Sequence, residues 1–368
     1  MFGTPLICHQ LISAAMRRSL CLLTLLIASV FGSAHSSADI VVDYSNDSNN
    51  FFINNPTARL ALEAAVSDLN NVLNLALGSI NSDTTVGNSG GGTELTWNFD
   101  YRYTNPSTGT IETIADSRLA DNELRIFVGA RNLGGSLLGQ GGPTGIRWQI
   151  SGTLGAGSAS DAVLAAQAAH QHGRMDGPVI STASGNVAGA NYSFDIGPTI
   201  GNLWFDQDTD NNGVADSSST LEQNWHFDHT APVAAGKSDF YSVALHEILH
   251  SIGIGTADSW DALVSGTEWL GTEVVALNGT GAGLIDSGSG HFASGVMSTR
   301  LSDGAAQEVV MSPSILNGTR KELTALDLAM LRDIGYGNAG VTAIPEPSGF
   351  AVVAMVCATV SLRRRRRA

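Results

Sequence analysis

The segment from His246 to Gly255 constrains this chain most, because it spells HEILHSIGIG within an apolar run. On a helix, residues four positions apart share a face, so His246 and His250 would point towards one site with Glu247 beside them. Burying two imidazoles and a carboxylate is costly unless these groups are paired or bind a metal ion. The segment therefore predicts a metal site in which His246 and His250 are ligands.

Residues on both sides predict that this segment is helical and largely buried. Ser238 and Asp239 provide an N-cap signal, and Gly253 and Gly255 are expected to end the helix. The apolar residues between these ends repeat at helical spacing: Phe240, Val243, Ala244, Leu245, Ile248, Leu249 and Ile252. A surface helix that carries two solvated histidines is the less favoured alternative.

A catalytic zinc ion binds three protein ligands and keeps one position for water, so the two histidines need a third partner. The position that would complete the pattern HExxHxxGxxH is occupied by Thr256, so the third ligand must come from a more distant residue. The favoured candidate is His291, the only histidine downstream. Glu268 and Glu273 stay open as alternatives, because their spacing is similar to that of thermolysin-like zinc peptidases.

The whole pattern resembles that of leishmanolysin-like peptidases, a branch of the metzincins. The matching residues are His246, Glu247, His250, Gly253, His291 and Met311. In that family a segment is inserted before the third histidine, and a methionine lies in a tight turn under the zinc. The resemblance implies that His291 completes the zinc site and that Met311 occupies the turn, with Met297 as the competing candidate.

The same resemblance implies a zinc-dependent endopeptidase. Glu247 would be the general base that accepts a proton as zinc-bound water attacks a peptide carbonyl. Asn202, Leu203 and Trp204 resemble part of the metzincin edge strand that pairs with an extended substrate, although an ordinary buried strand fits them equally well. The alternative function is a non-catalytic surface or matrix protein that binds metal or a polymer. The intact Glu247 disfavours it, because a binding protein has no use for a base.

The remaining pattern predicts an α+β domain. One helix is expected to begin at Asn55–Pro56, and others are expected over Ser160–His172 and Thr324–Tyr336. Strands are expected over Leu95–Tyr103, Leu124–Val128, Ile146–Ile150 and Ile200–Phe205. These elements do not alternate in the regular order of parallel α/β proteins. With the resemblance, we expect a metzincin-like two-lobed catalytic domain with a twisted mixed sheet, an HExxH helix and an irregular C-terminal lobe.

An acidic loop before the HExxH helix is a candidate for a second metal ion. Its oxygen-bearing residues are Asp208, Asp210, Asn212 and Asp216. This spacing, with Gly213 sixth in the loop, is typical of Ca²⁺-binding loops. The twelfth position is Ser219, so the bidentate carboxylate is missing unless Glu222 replaces it. A solvated acidic loop without calcium is the alternative.

Both ends of the chain predict export and sorting. Residues 1–38 combine basic, apolar and small residues in the order typical of a signal peptide, and Met16 is an alternative start. Residues 344–368 join Pro-Glu-Pro, a short apolar stretch and five arginines, and resemble the PEP-CTERM sorting signal of Gram-negative bacteria. The resemblance implies a transient inner-membrane anchor, recognition by an exosortase-type enzyme, and delivery to the cell surface or extracellular matrix. A plain tail anchor is the alternative. Between the two ends, residues 39–336 are the expected catalytic domain and residues 337–343 the expected linker.

The composition agrees with this division of the chain. All three cysteines lie in the two ends, so the domain has no disulfide framework: Cys8, Cys21 and Cys357. Without those ends, 12 basic and 33 acidic side chains remain, which disfavours nucleic acid as a partner and favours divalent cations. Protein or peptide substrates are the expected partners. The other histidines of this region are expected to be structural or surface residues: His170, His172, His226 and His229.

Overall fold

The computed structural model describes residues 39–337, apart from 74–75, 83, 89–91, 154, 156–159, 161–163, 165–173, 175–176 and 188. The signal peptide, most of the helix expected over Ser160–His172, nearly all of the linker and the sorting signal lie outside these residues. His170 and His172 lie outside them as well. Within the described part of the chain, no helix is long and apolar enough to cross a membrane.

Helices and strands are interspersed along the described residues. The helices are α1 (Phe51–Asn54), α2 (Pro56–Val72), α3 (Ser218–Asn224), α4 (Phe240–Ser251), α5 (Asp258–Asp261), α6 (Thr272–Asn278) and α7 (Ala325–Ile334). The strands are β1 (Asp39–Asp43), β2 (Ile80–Asn81), β3 (Thr84–Asn88), β4 (Thr93–Thr104), β5 (Ile111–Ile114), β6 (Arg118–Leu119), β7 (Glu123–Arg131), β8 (Gly139–Pro143), β9 (Gly145–Thr153), β10 (Ser181–Val187), β11 (Ala190–Ile196), β12 (Ile200–Asp206), β13 (Trp225–His226), β14 (Ser238–Asp239), β15 (Val264–Ser265), β16 (Glu268–Trp269), β17 (Met297–Thr299) and β18 (Ala306–Glu308). The α+β prediction is confirmed.

The first sheet contains the order β1-β7-β12-β8, and β8 is the only one of the four that runs antiparallel to its neighbour. The prediction that Asn202, Leu203 and Trp204 form an edge strand is wrong. Their strand, β12, is hydrogen-bonded on both sides and is buried along its whole length. An almost continuous apolar run is typical of such an interior strand, because both of its faces are covered. The strand at this edge of the sheet is β8, which pairs with β12.

A second sheet of four strands covers the back face of the first. β4 pairs with β3, β5 and β9, and its aromatic side chains pack with those of β9 and β11. One link between the sheets is the side-chain oxygen of Asn202, which accepts a hydrogen bond of 3.0 Å from the backbone N–H of Thr104. The sequence predicted one mixed sheet. The structure divides the predicted strands between two four-stranded sheets, beside five two-stranded ones in the described part of the chain, because β4 turns its alternate large residues towards a separate aromatic cluster.

Helix α4 packs on the front face of the first sheet, close to β8 and β12. Glycines allow this approach: a Cβ at Gly141 would lie 2.3 Å from the backbone oxygen of Glu247, and one at Gly201 would lie 2.8 Å from the Ser251 Cβ. Any larger residue at Gly141 would push the strand away from the helix. The same helix contacts α2, which begins at Pro56 as expected and packs its buried face against the core.

Candidate metal centre

Helix α4 is held at both ends. The Asp239 carboxylate caps its first turn by accepting a 3.1 Å hydrogen bond from the Ser242 N–H, and Arg320 forms a 2.7 Å ion pair with the same carboxylate. At the other end, Gly253 has a φ of 119°, a conformation that favours glycine. The predicted cap and end of the helix are both confirmed, and these anchors fix the direction in which His246 and His250 point.

Three imidazoles converge beside this helix. The Nε2 atom of His250 lies 3.1 Å from that of His246 and 3.1 Å from that of His291. Each residue offers one ring nitrogen to a group whose members all lie within 4.8 Å of one another. Glu268 and Glu273 are exposed and do not belong to this group. The fold therefore brings together the three histidines favoured by the sequence.

Backbone carbonyls determine the tautomer of two of these histidines. His246 Nδ1 lies 2.9 Å from the Val310 oxygen, and His250 Nδ1 lies 2.8 Å from the Ile254 oxygen. Since a carbonyl can only accept, Nδ1 carries the proton in both rings and Nε2 keeps its lone pair. Burial lowers the pKa of His250 to about 4 and also lowers the pKa of His246 and His291. Neutral imidazoles of this tautomer are the form that binds metals.

The geometry of the three rings fits a bound cation. Two Nε2 lone pairs at 3.1 Å cannot hydrogen-bond each other, so without a cation they repel. In a tetrahedral zinc site with Zn–N distances of about 2.0–2.1 Å, the ligand nitrogens lie about 3.3–3.4 Å apart. The observed spacing is close to this value. His246, His250 and His291 would hold the ion, and the solvent-facing side of the triad leaves a fourth position open.

His291 reaches the helix from a distant segment that folds back on it. The Asp286 carboxylate lies 3.8 Å from His291 Nδ1 and also accepts a 3.3 Å hydrogen bond from the His291 backbone N–H. The indole N–H of Trp260 donates a 2.7 Å hydrogen bond to the Ser289 carbonyl. Gly255 lies against this segment, since a Cβ there would be 2.2 Å from the Gly290 oxygen. The insertion between Gly253 and His291 is thus packed onto the site.

Met311 lies in a tight turn beside His246. The Ser312 N–H donates a 3.3 Å hydrogen bond to the Val309 carbonyl, and Met311 between them is fully buried. The turn includes Val310, whose carbonyl contacts His246, and both central N–H groups of the turn point at the buried carboxylate of Asp327. Met297, the competing candidate, is 55% exposed on β17. Of the two methionines, Met311 therefore occupies the expected position.

Glu247 lies beside the triad at the floor of an open cleft. The cleft has a volume of about 550 Å³, and its walls are β8, α4 and the segment around Pro313. Burial raises the pKa of the Glu247 carboxyl to about 8, and a hydrogen bond from the Gly141 N–H opposes this rise. The residue Glu247 is 7% exposed, and no basic side chain among the described residues pairs with its carboxyl group. A cation in the triad would favour its charged form.

The acidic loop forms a second group of possible metal ligands. Carboxylate oxygens of Asp208, Asp210 and Asp216 lie within 4.8 Å of one another. These oxygens already accept hydrogen bonds within the loop: Asp208 from the N–H groups of Asn212 and Gly213, and Asp216 from Thr209. Glu222 is not a member of the group. Calcium binding at this loop stays a prediction, because hydrogen bonds within the loop account for its shape without an ion.

Two kinds of feature at this site could not be predicted from the sequence: contacts made by the backbone, and strand pairing between distant segments. β8 reads Gly-Gln-Gly-Gly-Pro, which has neither the alternation nor the residue types of a strand. The carbonyl of Val310 could not be found, because every residue has one. Asp286 had a signal, since it lies five residues before His291, and metal-bound histidines commonly pair with a carboxylate.

The arrangement of this cleft suits hydrolysis at a metal ion. Three neutral imidazoles leave an open position, a buried carboxyl group lies next to that position, and the cleft is bordered by an edge of β8 with which no described strand pairs. Comparisons with protein-family models, with curated proteins and with solved structures found no match to this chain.

Proposed function

We propose that the protein is an exported zinc-dependent endopeptidase. The observation that carries the proposal is the convergence of three Nε2 atoms beside Glu247 in an open cleft. A structural metal site would be closed by a fourth protein ligand, whereas a catalytic site keeps a position for water or substrate. Among the described residues, no fourth histidine, cysteine or acidic side chain joins the triad.

Zinc is the metal that this donor set favours. Three imidazole nitrogens in a tetrahedral arrangement are typical of catalytic zinc, while calcium and magnesium prefer oxygen ligands. When bound, zinc would lower the pKa of a coordinated water molecule towards about 7 and polarise a substrate carbonyl. Carbonyl contacts at Val310 and Ile254 orient His246 and His250 before any ion binds, which reduces the cost of assembling the site.

Glu247 is placed to move the proton during hydrolysis. It follows His246 on the same helix, so its carboxyl lies beside the open position and not in the ligand set. There it would accept a proton from the attacking water and return it to the leaving amine. The surrounding apolar residues, including Val243 and Leu138, keep bulk water away from this carboxyl.

The edge of β8 is where an extended peptide would bind. β12 pairs with one side of β8, and no strand among the described residues pairs with the other side. A peptide added there would gain main-chain hydrogen bonds and would pass over the triad, because Gly139, Gln140 and Gly141 line the cleft. The role that the sequence suggested for β12 is therefore proposed here for β8.

The proposed site of action is outside the cytoplasm. This part rests on the two chain ends, whose residue patterns resemble a signal peptide and a PEP-CTERM sorting signal. A domain whose described residues include no cysteine depends on neither disulfide formation nor a reducing environment. A sorting enzyme of the exosortase type would then be a partner that acts on the last residues of the chain.

Cleavage of an unfolded protein mixture by the purified, zinc-loaded protein tests this proposal. The matched control is Glu247→Gln, which keeps the size of the side chain but removes the base. Cleavage by the parent, reduced by about a hundredfold or more in the variant, is the expected result. Zinc-bound protein that cleaves nothing would overturn the proposal and favour a non-catalytic surface protein.

A further inference from the structure

A crevice of about 390 Å³ lies behind the edge strand β8, on the opposite side from the metal cleft. It separates β8 and β12 from the second sheet. Its walls are formed by Arg102, Thr104, Ile111, Gln140, Gly142 and Trp204, together with a few neighbours. Gln140 and Gly141 line both the crevice and the metal cleft, so the two spaces meet across β8.

The register of β8 explains why both spaces would be used by one peptide. A Cβ at Gly139 or Gly141 would point at Glu247, so these positions face the helix, and the alternate positions Gln140 and Gly142 face the crevice. In a peptide strand that pairs with β8, successive side chains would also point alternately to the metal cleft and to the crevice. If one of its side chains enters the metal cleft, the side chains an odd number of residues away point towards the crevice.

Arg102 is the one charged residue in the described part of the chain that lines the crevice. It is exposed, and among the described residues its guanidinium has no ion-pair or hydrogen-bond partner. No described aspartate or glutamate lines the crevice. This is unusual for a region between the chain ends in which acidic side chains outnumber basic ones by 33 to 12. A free guanidinium without a competing carboxylate is a binding group for an anion.

The other walls suit the stem of an acidic side chain. Ile111 is 65% exposed and offers an apolar surface beside Arg102, and Gln140 offers amide hydrogen-bonding groups. Trp204 is 94% buried at the base of the crevice, and its indole N–H has no hydrogen-bond partner among the described residues. Together these groups can contact the methylene groups and the carboxylate of a glutamate.

We infer that this crevice is a substrate subsite that selects an acidic side chain, glutamate or aspartate, next to a residue held in the metal cleft. The inference rests on the proposed peptidase function, because it takes β8 as the strand that binds substrate. It adds a substrate class: extended polypeptide segments with a carboxylate at an odd spacing from the side chain in the cleft. Arg102 is the specificity-determining residue.

The first test reads cleavage sites by mass spectrometry in a mixture of natural peptides. We expect aspartate and glutamate to be enriched about fivefold over their amides at one position, a preference typical of a partly exposed charge pair. Arg102→Gln should abolish the enrichment, and Arg102→Glu should shift it to lysine and arginine. Arg59→Gln is the matched control, because it removes an exposed arginine from α2, outside the crevice.

The second test measures binding without turnover. The probes are a peptide of alternating alanine and glutamate and one of alternating alanine and glutamine, because an extended peptide places all its acidic groups on one face. Binding to zinc-loaded Glu247→Gln protein should be about fivefold tighter for the glutamate peptide, and Arg102→Gln should remove the difference. Thermal unfolding of each variant shows whether it is folded.

The outcomes separate this inference from the proposed function. Cleavage or binding without an acidic preference, or with a preference that Arg102→Gln leaves intact, overturns the subsite and leaves the peptidase function standing. A parent protein that binds the glutamate peptide selectively but cleaves nothing overturns the peptidase function and supports the crevice as an acid-binding site.

Discussion

The histidine triad and the acidic loop are both groups of potential metal ligands, but the fold treats them differently. The triad joins two segments 41 residues apart, and its Nε2 lone pairs face one another with no donor between them. The acidic loop draws its carboxylates from one short segment, and they already accept hydrogen bonds from backbone N–H groups. Nitrogen lone pairs that lack a donor favour a bound cation, whereas carboxylates that already accept backbone N–H hydrogen bonds can keep their arrangement without one.

The largest effect expected from this difference is the response to metal removal. Zinc at about a thousand times its dissociation constant stabilises a folded protein by about 4 kcal/mol. For a domain of this size we expect a zinc chelator to lower the unfolding midpoint by about 10 °C, measured by calorimetry. A calcium-selective chelator is the control and should have a much smaller effect. Equal effects of the two chelators would remove the distinction between the sites.

The second-largest effect is expected from removal of His291, the ligand that lies outside helix α4. His291→Ala should weaken zinc binding by more than about a hundredfold, because loss of a direct ligand exceeds the loss of its supporting partner. Competition with a chromophoric chelator measures this affinity. Glu268→Ala and Glu273→Ala are the controls and should bind zinc as the parent does. Zinc binding that survives in His291→Ala and fails in either glutamate variant would assign the third ligand to that glutamate.

Substitution of Asp286, whose carboxylate lies near His291, should have a smaller effect on zinc binding. Asp286→Asn keeps the shape of the side chain but removes the charge that lies 3.8 Å from His291 Nδ1. We expect zinc affinity to fall by about tenfold, the lower end of the range for residues that support a metal ligand. The same competition assay measures it. An affinity equal to that of the parent would mean that the segment before His291 is held by its backbone contacts alone.

The smallest expected effect is at the acidic loop. If calcium binds there, a tenfold excess over its dissociation constant adds about 1.4 kcal/mol, or about 3–5 °C in the unfolding midpoint. The matched variant is Asp210→Asn with Asp216→Asn, which should not respond to calcium. A calcium shift as large as the zinc shift would contradict the comparison, and no shift in the parent would leave the loop as a hydrogen-bonded surface segment.

The sequence predicted those parts of the site that depend on side-chain type at fixed spacing. His246, Glu247 and His250 follow from helical geometry, and His291 was the only histidine left downstream. The start of α7 also follows from a local pattern, since Thr324 and Asp327 form a capping box in the structure. Apart from His291, these features are local, so they need no knowledge of the tertiary structure.

The edge strand β8, which we propose binds substrate, could not be predicted in this way. β8 is a strand because β12 supplies hydrogen bonds and α4 leaves room only for glycine, and neither cause is visible in Gly-Gln-Gly-Gly-Pro. The edge-strand prediction for β12 came from its resemblance to the metzincin edge strand, although its apolar run is more typical of a strand covered on both faces. The crevice behind β8 depends on the contact between two sheets and has no sequence pattern at all.

X-ray absorption spectroscopy of the zinc-loaded protein tests whether the three histidines hold the zinc, since it counts the atoms around the ion. We expect one zinc per chain with three nitrogen ligands at about 2.0–2.1 Å and one oxygen, and two nitrogens in His291→Ala. A zinc environment made of oxygen atoms, or one that His291→Ala leaves unchanged, would contradict it.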